Sequence, residues 1–436
     1  MTFEIGDFVA RIDANRTVKD ELIAKMKESR PRQRISVTDL VNPRRAFMQR
    51  VHPELQPPLE RKEAMMAGRG FHDLFGHAVS SEEYLEQFVE WEGIVGVIDV
   101  YQDVPSELKT TAGLEEGTEF RVERPSYVEQ LAMYCAMVDE TKGRLILYDR
   151  GRDDKEPSLS VQDARFDDLE AIKQEMRKRR DALATALKED SAGSLPRCPW
   201  LGRGCEFESA CGCKDAPEFV PTIARMVPPL TPNPEEARNL LSMLVASRAR
   251  QRTGMHTLVL PRRAHYDRLQ KREETDAERL GAMEDFGRKR ALADAIQFGR
   301  GMESTRKALT LGDLQDKVTY YGGLPTLLRS VRLNDVVSRE SLVRMFPHYF
   351  TRLAFDSAAM GSPEGRLILH YEKLEGTSRF MVYDISFRDI ERIKEEVENR
   401  LLAVREATEG QLDPRKLPAC PQWMRKSCPY QPACGC

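Results

Sequence analysis

Cys198-Pro-Trp-Leu-Gly-Arg-Gly-Cys205-Glu-Phe-Glu-Ser-Ala-Cys211-Gly-Cys213 and Cys420-Pro-Gln-Trp-Met-Arg-Lys-Ser-Cys428-Pro-Tyr-Gln-Pro-Ala-Cys434-Gly-Cys436 decide how this chain is built. Both segments start Cys-Pro and end Ala-Cys-Gly-Cys, and together they hold eight of the nine cysteines. Matches continue outward from them. Leu40-Val41-Asn42-Pro43-Arg44-Arg45-Ala46 answers Leu258-Val259-Leu260-Pro261-Arg262-Arg263-Ala264, Gly68-Arg69-Gly70 answers Gly299-Arg300-Gly301, and Gly143 to Tyr148 answers Gly365 to His370. The landmarks keep one order, so a whole domain has been duplicated. A period of about 200 residues is far longer than the 20–50 of solenoid repeats. The expected division is 1–213, a linker and helix over 214–252, and a second domain over 253–436.

Composition sets limits on function. The 436 residues carry a formal net charge of −3, which excludes a generally basic nucleic-acid coat but leaves room for a basic groove. No apolar run approaches the ~18 residues of a membrane span, so no membrane partner is expected. The opening MTFEIGDFVARIDANR lacks the basic start, apolar stretch and small-residue cleavage site of a signal peptide, and a cytoplasmic location is expected. Thiols stay reduced there, so dense cysteines read as metal or cluster ligands before disulfides.

Within the first copy, residues 36–80 read as helices and 84–111 as alternating strands turning at Gly93 and Gly96. Tyr127 to Val138 reads as an amphipathic helix, 143–149 with 157–165 as a hairpin, and 166–188 as a long helix. The order gives a mixed α/β (α+β) class, a small mixed sheet flanked by helices in each copy.

Glu107-Leu108-Lys109 puts a carboxylate and an ammonium on one face of a strand, because side-chain direction alternates with period two. Asp99, on the preceding strand, brings a second carboxylate near Glu107. Two hard oxygen ligands suit Mg²⁺ or Mn²⁺, which keep waters for a substrate phosphate. Lys109 then positions that water or stabilises developing charge. His72 on an upstream helix is a candidate third ligand, and Gln130 and Tyr134 lie one turn apart on a downstream helix. Tyr134, Met133 and Cys135 are expected on its core face. The Arg-rich run Met176-Arg177-Lys178-Arg179-Arg180 is a candidate phosphate contact or, more commonly for such runs, a solvated helix face.

The ordered set His72, Asp99, Glu107-x-Lys109, Tyr127-x-x-Gln130 and a terminal cysteine cluster resembles the RecB-type branch of the PD-(D/E)xK nuclease superfamily. The likeness covers about 36–213, and within that branch it is greatest to the iron–sulfur exonucleases of CRISPR systems and helicase–nuclease repair enzymes. The resemblance implies two tandem restriction-endonuclease-like domains, each closed by its cysteine cluster. It implies His72, Asp99 and Glu107 as metal ligands, Lys109 as the catalytic lysine, and Gln130 with Tyr127 as phosphate-side support. Cys198, Cys205, Cys211 and Cys213, and Cys420, Cys428, Cys434 and Cys436, would each hold a [4Fe–4S] cluster, with zinc the alternative. Where such enzymes take one cluster cysteine from the first helix this chain has Asn42, while Cys198 adds one at the other end. Single-stranded or end-exposed DNA is the implied substrate, and a helicase or other DNA-processing protein the implied partner. The alternative is a non-catalytic iron–sulfur or zinc scaffold in a larger assembly.

The second copy lacks the set. His72 corresponds to Glu303, Asp99 to Thr319, Glu107 to Leu327, Lys109 to Arg329 and Gln130 to Arg352, so a pseudo-nuclease is expected there.

Overall fold

The computed structural model describes residues 3–27, 33–115, 117–151, 155–198, 205–247, 254–269, 275–297, 305–311, 314–421, 424, 428 and 430–434. The chain opens with β1 (Val9–Ala14) and α1 (Arg16–Lys27). The first repeat continues with β2 (Ile35–Ser36), α2 (Val37–Val41), α3 (Pro43–Val51), α4 (Leu59–Val79), β3 (Leu85–Trp91), β4 (Ile94–Tyr101) and β5 (Pro105–Thr111). It ends with α5 (Pro125–Met137), β6 (Lys142–Asp149), β7 (Ser158–Arg165) and α6 (Leu169–Glu189). After the first cysteine segment come β8 (Thr231–Pro232), α7 (Pro234–Ser247), α8 (Met255–Val259), α9 (Pro261–Leu269), α10 (Asp276–Gln297), β9 (Thr305–Leu311), β10 (Leu314–Tyr321) and β11 (Leu324–Val331). The last elements labelled are α11 (Pro347–Ala359), β12 (Glu364–Tyr371), β13 (Phe380–Phe387) and α12 (Ile390–Thr408).

Two mixed sheets result. One runs β2-β4-β5-β6-β7-β8 with β3 paired to β4, and the other runs β1-β13-β12-β11-β10-β9. The protein is therefore of the mixed α/β class. Glu92 and Gly93 both adopt positive φ (45° and 78°), the conformation a tight hairpin between β3 and β4 demands. Gly322 and Gly323 (58° and 80°) repeat it between β10 and β11. The parallel pair β5–β6 needs a crossover. Helix α5 supplies it, with Val128, Leu131, Ala132 and Cys135 wholly buried in the first core. The parallel pair β11–β12 is bridged by α11 in the same way, through Phe350, Leu353 and Ala354. Met133 and Cys135 are core residues as expected.

Gly96 corrects the reading of the strands. It lies inside β4, not at a turn, and a Cβ there would stand 2.5 Å from the Tyr134 ring. The glycine makes room for an aromatic ring on α5.

The helix expected within 214–252 is present as α7, but the described residues before it do more than connect. Thr231–Pro232 pairs antiparallel with β7, and α7 packs behind it. The opening of the chain does the same for the other sheet, where β1 pairs antiparallel with β13. The bonds match atom for atom. Asn233 donates from Nδ2 to Asp163 (2.6 Å) and from its backbone to Val161 (2.8 Å), while its Oδ1 accepts from Glu236 N (2.9 Å). Asn15 donates from Nδ2 to Asp384 (2.7 Å) and from its backbone to Val382 (2.8 Å), while its Oδ1 accepts from Val18 N (3.0 Å). In sequence, Ile12 to Ala46 aligns with Leu230 to Ala264 at one constant offset. Each repeat therefore begins with a β–α arm that completes the sheet of the other repeat.

The compact units follow from this and are not those expected from the cysteine repeat. One comprises Met1–Met26, Arg250–Glu274 and Leu292–Cys436, and the other Lys27–Ala249 with Thr275–Ala291. In the latter, Leu280 and Met283 of α10 join Phe71 and Phe75 of α4 beneath Leu108, Ile146 and Tyr148. The two helices cross at Gly70 and Gly287, where a Cβ on Gly70 would stand 2.0 Å from the Gly287 carbonyl oxygen.

Candidate active site

Strands β4 and β5 and helices α4 and α5 bring the expected residues of the first repeat together. Asp99 Oδ2 accepts a hydrogen bond from Leu108 N (2.8 Å), which ties its carboxylate beside Glu107. His72 Nδ1 stands 3.8 Å from the same oxygen. Lys109 Nζ is ion-paired with Glu107 Oε1 and donates to Gln130 Oε1 at 3.0 Å. The Tyr127 ring lies 5.7 Å from that ammonium. Gln130 Nε2 donates to Tyr134 Oη at 3.2 Å. Tyr134 is thus both a core residue and the outer member of the polar network. The sequence signal that could have found it is Gly96, which is there to admit its ring.

Glu107 is only 2% exposed, and its Oε2 has no hydrogen-bond partner among the described residues. Burial pushes its carboxyl up to about 8 against the opposing pull of Lys109, with Asp99 adding to the rise. Burial also lowers the Lys109 ammonium, but Glu107 and Asp99 outweigh it and hold the lysine charged. Burial lowers His72, against Asp99, which favours the neutral imidazole. A buried carboxylate oxygen with nothing to bond is costly by about 1–3 kcal/mol or more. A cation held by Asp99 and Glu107 removes that cost, so the donors present fit a divalent ion. Among the described residues no group of three or more His, Cys, Asp or Glu side chains stands in metal-holding geometry.

The Arg-rich helix α6 spends its charge internally. Arg179 is buried and pairs with Glu129 (2.8 Å) and Glu175 (2.9 Å). Arg177 pairs with Glu92 and Glu170 and lies over the Trp91 ring, and Arg180 pairs with Glu92 and Asp181. Arg179 is thus structural, while Arg177 and Arg180 are partly exposed and paired with acidic neighbours.

The second repeat places different groups at the corresponding positions. Thr319 and Leu327 stand on β10 and β11 where the carboxylates were, and Glu303 lies outside the described residues. Two other carboxylates enter the space. Asp356 replaces Tyr134 and Asp316 replaces Gly96, so the lost ring and the gained side chain compensate. Arg352 bridges them at 2.8 Å and 3.0 Å.

The cysteine segments are anchored by residues that sequence reasoning found only as landmarks. Arg44, buried at the start of α3, donates to the carbonyls of Leu195, Ala192 and Cys211. Its counterpart Arg262 donates to the carbonyls of Leu417, Arg415 and Cys434. Cys205, Cys211 and Cys213 pack around Phe207 against Ala46 and Phe47. Cys198 N donates to Cys213 Sγ at 3.4 Å. Burial pushes the Cys198 thiol up to about 12, and Cys213, Cys205 and Cys211 each add to the rise. The Cys211 thiol is raised as well, first by burial and then by Cys213, although the four cysteines do not stand in metal-holding geometry among the described residues. In the second segment Cys420 and Cys434 are buried and Cys428 is half-buried, while Cys436 lies outside the described residues. Arg44→Leu is expected to weaken the first segment by about 2–4 kcal/mol, because buried carbonyls lose a charged donor. Amide exchange over 205–213 should accelerate accordingly, and unchanged exchange there would refute the clamp.

No protein-family model matches this chain, and no curated protein matches it. Among solved structures it is similar to one titled "Crystal structure of SSO0001", at 18% identity over 45% of this chain and 95% of that one. The TM-score of 0.32 is too low to carry fold or function. No helix among the described residues is long and apolar enough to cross a membrane.

Proposed function

We propose that the first repeat is a metal-dependent DNA nuclease of the RecB-type PD-(D/E)xK class, and that the second is a restriction-endonuclease-like pseudo-nuclease. The observation that carries this reading is the unpartnered Glu107 Oε2 beside Asp99, with a lysine fixed at the same place. Asp99 and Glu107 would hold Mg²⁺ or Mn²⁺, with neutral His72 at its edge. When bound, such an ion polarises a phosphodiester and lowers the pKa of its water. Glu107 and Gln130 hold the Lys109 ammonium in place, so charge developing on the phosphate meets a donor needing little reorganisation. Gln130 is itself fixed by Tyr134, and Tyr127 covers the lysine. The substrate class is single-stranded or end-exposed DNA, with a helicase or other DNA-processing protein as partner. Each cysteine quartet would hold a [4Fe–4S] cluster that fastens the end of its repeat.

Purified protein should degrade labelled single-stranded DNA with Mn²⁺ and cease on chelation. It should also be brown, with absorbance at about 400 nm and two clusters per chain. Two zinc ions and no colour would replace the cluster assignment, and inactivity on every DNA form with Mn²⁺ or Mg²⁺ present would refute the nuclease.

A further inference from the structure

In the first repeat the strand lysine has a counter-ion, because Glu107 stands two residues before it. In the second repeat Leu327 replaces that glutamate while the cation is kept, as Arg329. Among the described residues no carboxylate lies within ion-pairing distance of Arg329. Its one side-chain hydrogen bond among the described residues is to the neighbouring Leu328 carbonyl, at 2.8 Å. The other guanidinium, Arg352, is committed to Asp316 and Asp356. Arg329 therefore sits half-buried beside Arg352 and the Tyr349 ring (5.8 Å) with no ion-pair partner among the described residues. Burial, and then Arg352, pull its pKa down to about 10, and His348 is brought to about 4, first by burial and then by Arg329. Tyr349, Asp356 and Asp316 act on Arg329 in the opposite sense, but from beyond ion-pairing distance they do not offset burial and Arg352.

A partly buried guanidinium with no directly paired anion is unfavourable until an anion completes it, and its planar fork matches phosphate oxygens. We propose that the second repeat carries a phosphate-binding pocket centred on Arg329, formed when the strand lost its carboxylate and kept its cation. The pocket needs no divalent ion, and it stands on the comparison of the two repeats whatever the first repeat cleaves. Its ligand is a phosphate group, either of a nucleic-acid backbone or free in solution.

The test uses the full chain in chelator, so that cleavage plays no part. Inorganic phosphate is titrated by calorimetry, and a fluorescent single strand of about 15 nucleotides by anisotropy. Arg329→Gln and Leu327→Glu should each weaken binding by about tenfold or more, the latter by giving Arg329 an internal partner. Arg329→Lys keeps charge and length and should lose severalfold through the fork alone, which covers the case of the others failing to fold. Binding of both ligands, each weakened by the substitutions, assigns the pocket to backbone phosphate. Binding of inorganic phosphate alone, weakened likewise, assigns it to free phosphate. Absence of binding by wild type, or binding that all three variants leave unchanged, overturns the proposal. Cleavage without phosphate binding sinks this pocket alone, and phosphate binding without cleavage sinks only the nuclease.

Discussion

Glu107→Gln should reduce divalent-dependent cleavage by about a thousandfold or more, equivalent to ~4 kcal/mol of lost transition-state stabilisation. Glutamine fills the same volume and can still accept from Lys109, so the fold and the lysine's position should survive. What disappears is the charge that would hold the ion. The pH dependence separates this from a packing effect. With its carboxyl pushed up to about 8, Glu107 takes up a proton far more readily than an ordinary carboxylate, and metal must compete with that proton. Apparent metal affinity should therefore rise by about tenfold per pH unit below 8 and level off above it. In Glu107→Gln both the affinity and this slope should be lost. A glutamine variant as active as wild type would mean the ion, if any, sits elsewhere.

Much of this site is legible in sequence because strands and helices have fixed periods. Glu107 and Lys109 share a face by period two, and Gln130 follows on a helix that crosses back to the same strand. Tyr134 was harder to place. An aromatic residue one turn from Gln130 in an apolar helix reads as core, and it is core by burial, yet its hydroxyl closes the polar network. The carbonyl-clamping role of Arg44 and Arg262 depends on chain brought back from more than 140 positions away, which no local period records.

The arms were the largest misreading, for a physical reason. Val227-Pro228-Pro229-Leu230-Thr231-Pro232-Asn233-Pro234 carries prolines that remove backbone donors, and such a run reads as a connection. An edge strand tolerates what a central strand cannot, since only one of its sides is bonded. β8 is short and lies at the edge of its sheet, so the prolines there cost little.

The exchange of arms leads to an expectation opposite to the one chain order gives. Removing residues 1–26 should leave the sheet of the first repeat intact and disrupt that of the second. The deletion takes away β1, which covers the edge of β13, and α1, whose Val18, Leu22, Ile23 and Met26 are each at most 5% exposed. Burying four such side chains contributes about 1.5–3 kcal/mol each before ordering costs. A domain's entire stability is about 5–15 kcal/mol. The loss is therefore of the size that unfolds a domain, and the bared edge of β13 invites pairing between chains. Amide exchange in β12 and β13 should approach that of unfolded chain while β6 and β7 stay protected, and metal-dependent cleavage by the soluble fraction should persist. Leu22→Ala is the milder version, at about 2–5 kcal/mol, and should speed exchange in the same strands without aggregation. Its effect must appear in β13, nearly the whole chain away from the substitution. Loss of protection in β6 and β7 instead would return residues 1–26 to the first repeat and undo the exchange.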